Sequence, residues 1–314
     1  MDHLQRDHGG GLDAAVAIYG GVRAGWLDLS TGINPVAYPV GAISAGAWAA
    51  LPDQAAMQRL EKAARHFWPV PAAAAVLAVP GASAAIAMVP FLADPARVCI
   101  VGPTYNEHEA AFQAAGWVVT QGAAEAVVAV HPNNPDGRRW QAADMDARLA
   151  VIDESFCDVI PGESLIGQAA RPGCVVLKSF GKFWGLAGLR LGFAIGDPVV
   201  LAGLAQRIGP WPVSGPALEI GARALEDGAW AEKTRVRLQQ DAARLDRMIG
   251  APLVGGTGLF RLYRVADAAH WQQALARAHI WSRVFPYNPE WLRLGLPGSP
   301  PDWARLAHAL QGMR

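Results

Sequence analysis

Short runs of β-branched and apolar residues recur along the chain at 76–79 (VLAV), 98–101 (VCIV), 117–120 (WVVT), 127–130 (VVAV), 149–153 (LAVID), 174–178 (CVVLK) and 191–195 (LGFAI), with helical patterns between them. Near-continuous apolar runs of this length read as strands buried on both faces. They predict an α/β architecture, a mostly parallel sheet of seven strands covered by helices. Ligands of such sheets sit at the carboxyl ends of the strands, in the loops that follow.

From Ser214 to Ile249 the spacing predicts long helix, with charge appearing every three or four residues after Glu219. Beyond it, 259–264 (LFRLYR), 281–285 and 291–294 read as strands, and 267–279 and 302–312 as helices. The pattern predicts three parts: an N-terminal arm over 1–45 that joins a small domain, a large domain over 46–228, and a small α+β domain over 229–314. Residues 70–93 carry no charge, but Pro71, Pro80, Gly81 and Pro90 interrupt them. That favours a buried strand, a turn and a helix over a membrane span.

A chain of 314 residues exceeds the size at which one core keeps growing, which agrees with two domains. Lysine plus arginine equals aspartate plus glutamate at 27 each, so no global field draws the protein to nucleic acid or to an anionic membrane. Any anionic substrate must therefore be met by local groups. Cys99, Cys157 and Cys174 are odd in number and lack metal-ligand spacing, so no metal is expected. They read as buried reduced thiols of a cytoplasmic protein, and the first eight residues hold no secretory apolar core.

The chemistry concentrates in the run from Lys178 to Gly192. Lys182 stands there among apolar residues and glycines, where an amine loses hydration easily and can attack a carbonyl. Ser179 lies three residues before it and Arg190 eight after, a hydroxyl and a fixed cation suited to one phosphate. The plain alternative is a buried strand and turn whose cations snorkel outward, which leaves the spacing unexplained. This Ser-x-x-Lys with Gly-Leu-x-Gly-x-Arg resembles the lysine segment of fold-type-I pyridoxal-phosphate enzymes, the aspartate aminotransferase superfamily. The resemblance implies pyridoxal 5'-phosphate as cofactor, linked to Lys182, and a homodimer.

Asp153 ends an apolar strand, and a carboxylate buried there needs a cationic partner. The resemblance makes that partner the protonated pyridine nitrogen, which keeps the ring an electron sink. His131–Gly137 is similar to the superfamily's Asn-Pro-x-Gly turn and implies that Asn134 donates to the ring's phenolic oxygen, although Asn-Pro-Asp-Gly makes a turn in any protein. Gly81, Ala82 and Ser83 open a helical stretch and offer amides to a phosphate, or serve as an ordinary cap. Tyr105 matches the position of an aromatic ring stacked on the cofactor, or belongs to the core.

Arg293, on a short strand of the small domain, resembles the superfamily arginine that clamps the substrate carboxylate, and Arg283 precedes it by ten residues. Together they suit a carboxylate and a phosphate. His8, Gly9 and Gly10 open the chain with an imidazole and accessible amides, and Asn34 offers an amide before Pro35. These segments, with Pro210–Ser214, resemble the threonine-phosphate decarboxylases of cobalamin biosynthesis. The resemblance spans His8 to Arg293 and implies decarboxylation of L-threonine O-3-phosphate to (R)-1-amino-2-propanol O-2-phosphate. An aminotransferase of the histidinol-phosphate type shares nearly every cofactor motif and is the chief alternative. A non-catalytic effector-sensing module is the third, although no spare basic helical segment is present to bind DNA. Two departures from the pattern stand out. Phe156 replaces the tyrosine expected three residues after the aspartate, and Leu51 replaces the tyrosine of Tyr-Pro-Asp-Pro, which reaches a neighbouring subunit.

Overall fold

The computed structural model describes residues 8–312. The first seven residues, read above as lacking an apolar leader, lie outside the described residues. The chain divides into two compact units. The larger comprises Ala37–Asn134 and Arg138–Thr234, and the smaller takes the chain up to Val36, Pro135–Gly137 and everything from Arg235 onward. These boundaries, at 36/37 and 234/235, differ from the 45/46 and 228/229 expected from the sequence.

The larger unit is built on a sheet of seven strands in the order Ala75–Val79, Gly192–Gly196, Cys174–Ser179, Leu149–Asp153, Ala126–Val130, Arg97–Ile100 and Val118–Thr120. All neighbours run parallel except Gly192–Gly196, which is antiparallel to both strands beside it. Leu149–Asp153 and Gly192–Gly196 are buried along their whole length and Cys174–Ser179 as far as Lys178, as their largely apolar sequence requires. Val98, Val128, Val151, Val175 and Ala194 share one core with Ala85, Ile86, Phe112 and Leu201 from the helices Ala82–Met88, Asn106–Ala114 and Pro198–Ile208.

The smaller unit holds a four-stranded antiparallel sheet, Arg283–Phe285, Asn288–Gly295, Phe260–Arg264 and Leu253–Gly256 in that order. A short parallel pair joins Leu27–Asp28 to Ile280–Trp281. The helix expected over 214–249 is two helices, Gly215–Glu226 and Gly228–Ile249. Asp227 separates them, and its Oδ1 accepts a hydrogen bond from the Trp230 amide at 3.0 Å, a cap that starts the second helix.

Glycine sets how closely the sheet approaches the loop after its first strand. A Cβ on Gly192 would stand 2.4 Å from the Ala82 amide nitrogen and 2.8 Å from the Gly81 carbonyl carbon. Gly192→Ala must push that loop away, and overpacking of this kind costs about 1–3 kcal/mol. We expect a lowered thermal midpoint, read by calorimetry, together with weaker retention of any ligand held by residues 81–83.

Candidate active site

The carboxyl ends of the larger unit's strands meet around one cleft. Gly81, Ala82, Ser83, Tyr105, Asn134, Asp153, Ser179, Lys182 and Arg190 all line it. Residues spread over more than a hundred positions are thus gathered by sheet topology. Phe156 lines it too, its ring centroid 5.2 Å from the Lys182 Nζ.

One end of the cleft is shaped for an anion. Gly81 has φ +81°, a conformation that disfavours side chains, and so turns the chain to bring the Ala82 and Ser83 amides to the start of their helix. A Cβ on Gly81 would come within 2.6 Å of Arg190 Nη2, so only glycine lets the guanidinium lie against this loop. Arg190 itself adopts φ +52° and donates from Nη1 to the Ala187 carbonyl at 3.0 Å. Ser179 Oγ accepts from the Gly181 amide at 3.2 Å, which tightens the turn leading to Lys182. Hydroxyl, amides and guanidinium form a donor set suited to a phosphate ester.

Asp153 is buried. Its Oδ2 lies 2.9 Å from His108 Nε2, and its Oδ1 accepts from the Ser155 amide at 2.9 Å and the Ser155 hydroxyl at 2.6 Å. Burial alone would raise the carboxyl's pKa. The hydrogen bond and charge of His108 and the two donors of Ser155 outweigh it and hold Asp153 below its ordinary value. The group is therefore a fixed negative charge, the partner that a protonated pyridine nitrogen requires. The donor set and the carboxylate together fit pyridoxal phosphate.

The loops carrying Tyr105 and Asn134 are stitched together by Asn133. Its Nδ2 donates to the Pro103 carbonyl at 3.0 Å, and its Oδ1 accepts from the Thr104 hydroxyl at 2.6 Å. Behind Lys182, Trp184 stacks on Phe180 and on Trp230, with interplanar angles of 13° and 14°. This stack, in which Phe180 and Trp184 are buried, anchors the chain two residues beyond the amine.

The smaller unit gathers the remaining candidates. Arg283 and Arg293 are direct partners on adjacent antiparallel strands. Like charges so placed repel unless an anion lies between them. Arg293 Nη2 donates to the Ser30 carbonyl at 2.6 Å, and Arg283 Nη1 to the His8 carbonyl at 2.8 Å. The Gly10 amide donates to Ser30 Oγ at 2.7 Å, and a Cβ on Gly9 would stand 2.4 Å from the Ser30 carbonyl oxygen, so the His-Gly-Gly turn lies tightly on this segment. Asn34 is buried, and its Oδ1 accepts from Arg237 Nη2 at 2.6 Å and from the Val36 amide at 3.1 Å.

The family model for aminotransferase class I and II matches residues 28–310. The chain belongs to that family. Among curated relatives, the threonine-phosphate decarboxylase of a Sinorhizobium species is 40% identical over 98% of this chain and 98% of its own. A histidinol-phosphate aminotransferase of Mycobacterium bovis is 32% identical, over 62% of this chain and 60% of its own. The solved histidinol-phosphate aminotransferase from Sinorhizobium meliloti, in complex with pyridoxal-5'-phosphate, aligns with a TM-score of 0.79 at 15% identity, covering 96% of this chain and 95% of that one. At that identity the likeness establishes the shared fold.

Sequence reasoning missed His108, Ser155 and Asn133. The need for a partner to the Asp153 carboxylate was legible, but a histidine 45 positions earlier reaches it only through strand order. Because the Asp153 pKa is lowered on folding, its ionised form stabilises the native state above the ordinary carboxylate range. That contribution is lost as pH falls through the lowered value. The thermal-midpoint gap between wild type and Asp153→Asn, present at pH 7, should accordingly close on acidification below about pH 4. A gap that widens there would contradict the assignment.

Proposed function

We propose that this protein is a pyridoxal-phosphate-dependent decarboxylase of L-threonine O-3-phosphate. The observation that carries the reading is near-complete correspondence with a curated threonine-phosphate decarboxylase at 40% identity, beside a match to the aminotransferase that covers only 62% of the chain. The cleft supplies what the chemistry needs. When bound, pyridoxal phosphate supplies an aldehyde that takes up an amine and a ring that accepts the electron pair of a broken bond at Cα.

Each residue has a defined task in this reading. Ser179, Arg190 and the amides of Ala82 and Ser83 hold the cofactor phosphate. Asp153, kept ionised by His108 and Ser155, would balance the charge of the pyridine nitrogen. Tyr105 supplies a ring to stack, and Asn134 a donor to the phenolic oxygen. Lys182 anchors the cofactor and afterwards holds or delivers a proton at Nζ. Arg293 takes the substrate carboxylate, and Arg283 with His8, Gly9, Gly10 and Asn34 takes the substrate phosphate. Orientation selects the bond that breaks: the arginine that holds the carboxylate would fix which bond at Cα is presented for cleavage. The product is (R)-1-amino-2-propanol O-2-phosphate, the aminopropanol arm of a corrinoid.

Among the described residues no helix is long and apolar enough to cross a membrane. We place it in the cytoplasm as a homodimer. The purified protein, reconstituted with pyridoxal phosphate, should release carbon dioxide from O-phospho-L-threonine, and Lys182→Ala should reduce release to background. Glutamate formation from histidinol phosphate and 2-oxoglutarate, without carbon dioxide release, would establish the aminotransferase reading instead.

A further inference from the structure

The cleft does not account for a second group of charges at the same strand ends. Lys178 Nζ donates to Glu154 Oε2 at 2.5 Å and lies 3.6 Å from Asp158 Oδ1, and all three side chains are at most 3% exposed. Glu154 Oε2 also accepts from the Ser164 hydroxyl at 2.7 Å, and its Oε1 from the Leu165 amide at 2.5 Å. Asp158 Oδ1 accepts from Trp68 Nε1 at 2.8 Å, and the ammonium stands 5.4 Å from the Trp68 ring centroid. Burial would lower the Lys178 pKa, but Glu154 and then Asp158 overcome it and raise it above the ordinary lysine value. The cation persists at every physiological pH.

Two simpler explanations fail. Buried ion pairs seldom return more than their desolvation costs, so stability alone is a poor reason for such a cluster. Glu154 also lies near His131 and Cys157, a grouping that resembles metal ligation. Both ring nitrogens of His131 are engaged, Nε2 with the Glu163 carbonyl at 2.8 Å and Nδ1 with the Trp140 amide at 3.1 Å. Burial and then Glu154 push the Cys157 thiol up, away from the thiolate a metal would need.

What distinguishes the cluster is where its members sit in the chain. Glu154 directly follows Asp153. Lys178 directly precedes Ser179 and stands four residues before Lys182. Asp153 pairs in register with Leu177, and the Glu154 amide donates to the Leu177 carbonyl at 2.9 Å. Successive residues of a strand face opposite ways, so Asp153 and Ser179 face the cleft while Glu154 and Lys178 meet behind it. We propose that Lys178, Glu154 and Asp158 are positioning residues whose buried ion cluster fixes the separation between the Asp153 carboxylate and the Ser179–Lys182 segment. The strand ladder holds the two backbones; the cluster holds the ends beyond the last ladder bond, where the functional side chains begin.

The inference rests on the proposed decarboxylase only in its rate measurement, because cofactor binding is read separately. Protein freed of cofactor is titrated with pyridoxal phosphate by tryptophan-fluorescence quenching, and kcat and KM for carbon dioxide release are measured on the reconstituted protein. Lys178→Met leaves two buried carboxylates without their cation and should lower the thermal midpoint sharply. Adding Glu154→Gln removes one of those charges and should recover much of the midpoint. If the cluster positions the site, this double variant still binds the cofactor about tenfold to a hundredfold more weakly and loses kcat by a similar factor at nearly unchanged KM. Wild-type affinity and kcat in the folded double variant would overturn the proposal. Should the double variant not fold, Glu154→Gln alone decides, since Asp158 still backs the lysine: the same losses support the proposal and wild-type values overturn it. Wild-type protein that binds the cofactor yet releases no carbon dioxide removes the decarboxylase reading and leaves the affinity comparison intact.

Discussion

A carboxylate removed from water at the end of a strand dictates much of what surrounds it. Asp153 stays charged only because His108 and Ser155 supply donors, and those donors arrive from a helix two strands away and from the turn just beyond. The helix Asn106–Ala114 must therefore begin where the Tyr105 loop ends, and the Asn133 stitches keep that loop against the turn carrying Asn134. Packing, electrostatics and the layout of the cleft are one constraint seen from three sides.

At the opposite end of the cleft the governing constraint is space. Gly81 and Gly192 both stand where a methyl group would collide with a neighbour, one with the Arg190 guanidinium and one with the Ala82 amide. Close backbone approach there lets amides, hydroxyl and guanidinium converge on a volume the size of a phosphate. Without these two glycines the same polar groups would be present but too far apart to act together.

The fold was largely legible in the sequence because parallel strands buried on both faces leave unbroken apolar runs. All seven runs became strands of the larger sheet, with ends displaced by at most one residue. The Ser214–Ile249 helix was misread because amphipathic spacing continues across Asp227–Gly228, although an aspartate before a glycine is itself a stop and a cap. The strand Leu253–Gly256 escaped notice because it ends in two glycines and pairs through a register shift. In the site, motifs of fixed local spacing such as Ser179 to Lys182 could be read directly. The contacts of Asp153 with His108 and of Lys178 with Glu154 could not, for they join segments 45 and 24 residues apart that only strand order brings together.

Phe156 carries a consequence for proton traffic. The wall it presents to the Lys182 amine is a phenyl ring, which can neither give nor take a hydrogen ion. Any relay to or from that nitrogen must run along another side of the cleft, where Tyr105, Asn134 and Ser179 carry the polar groups.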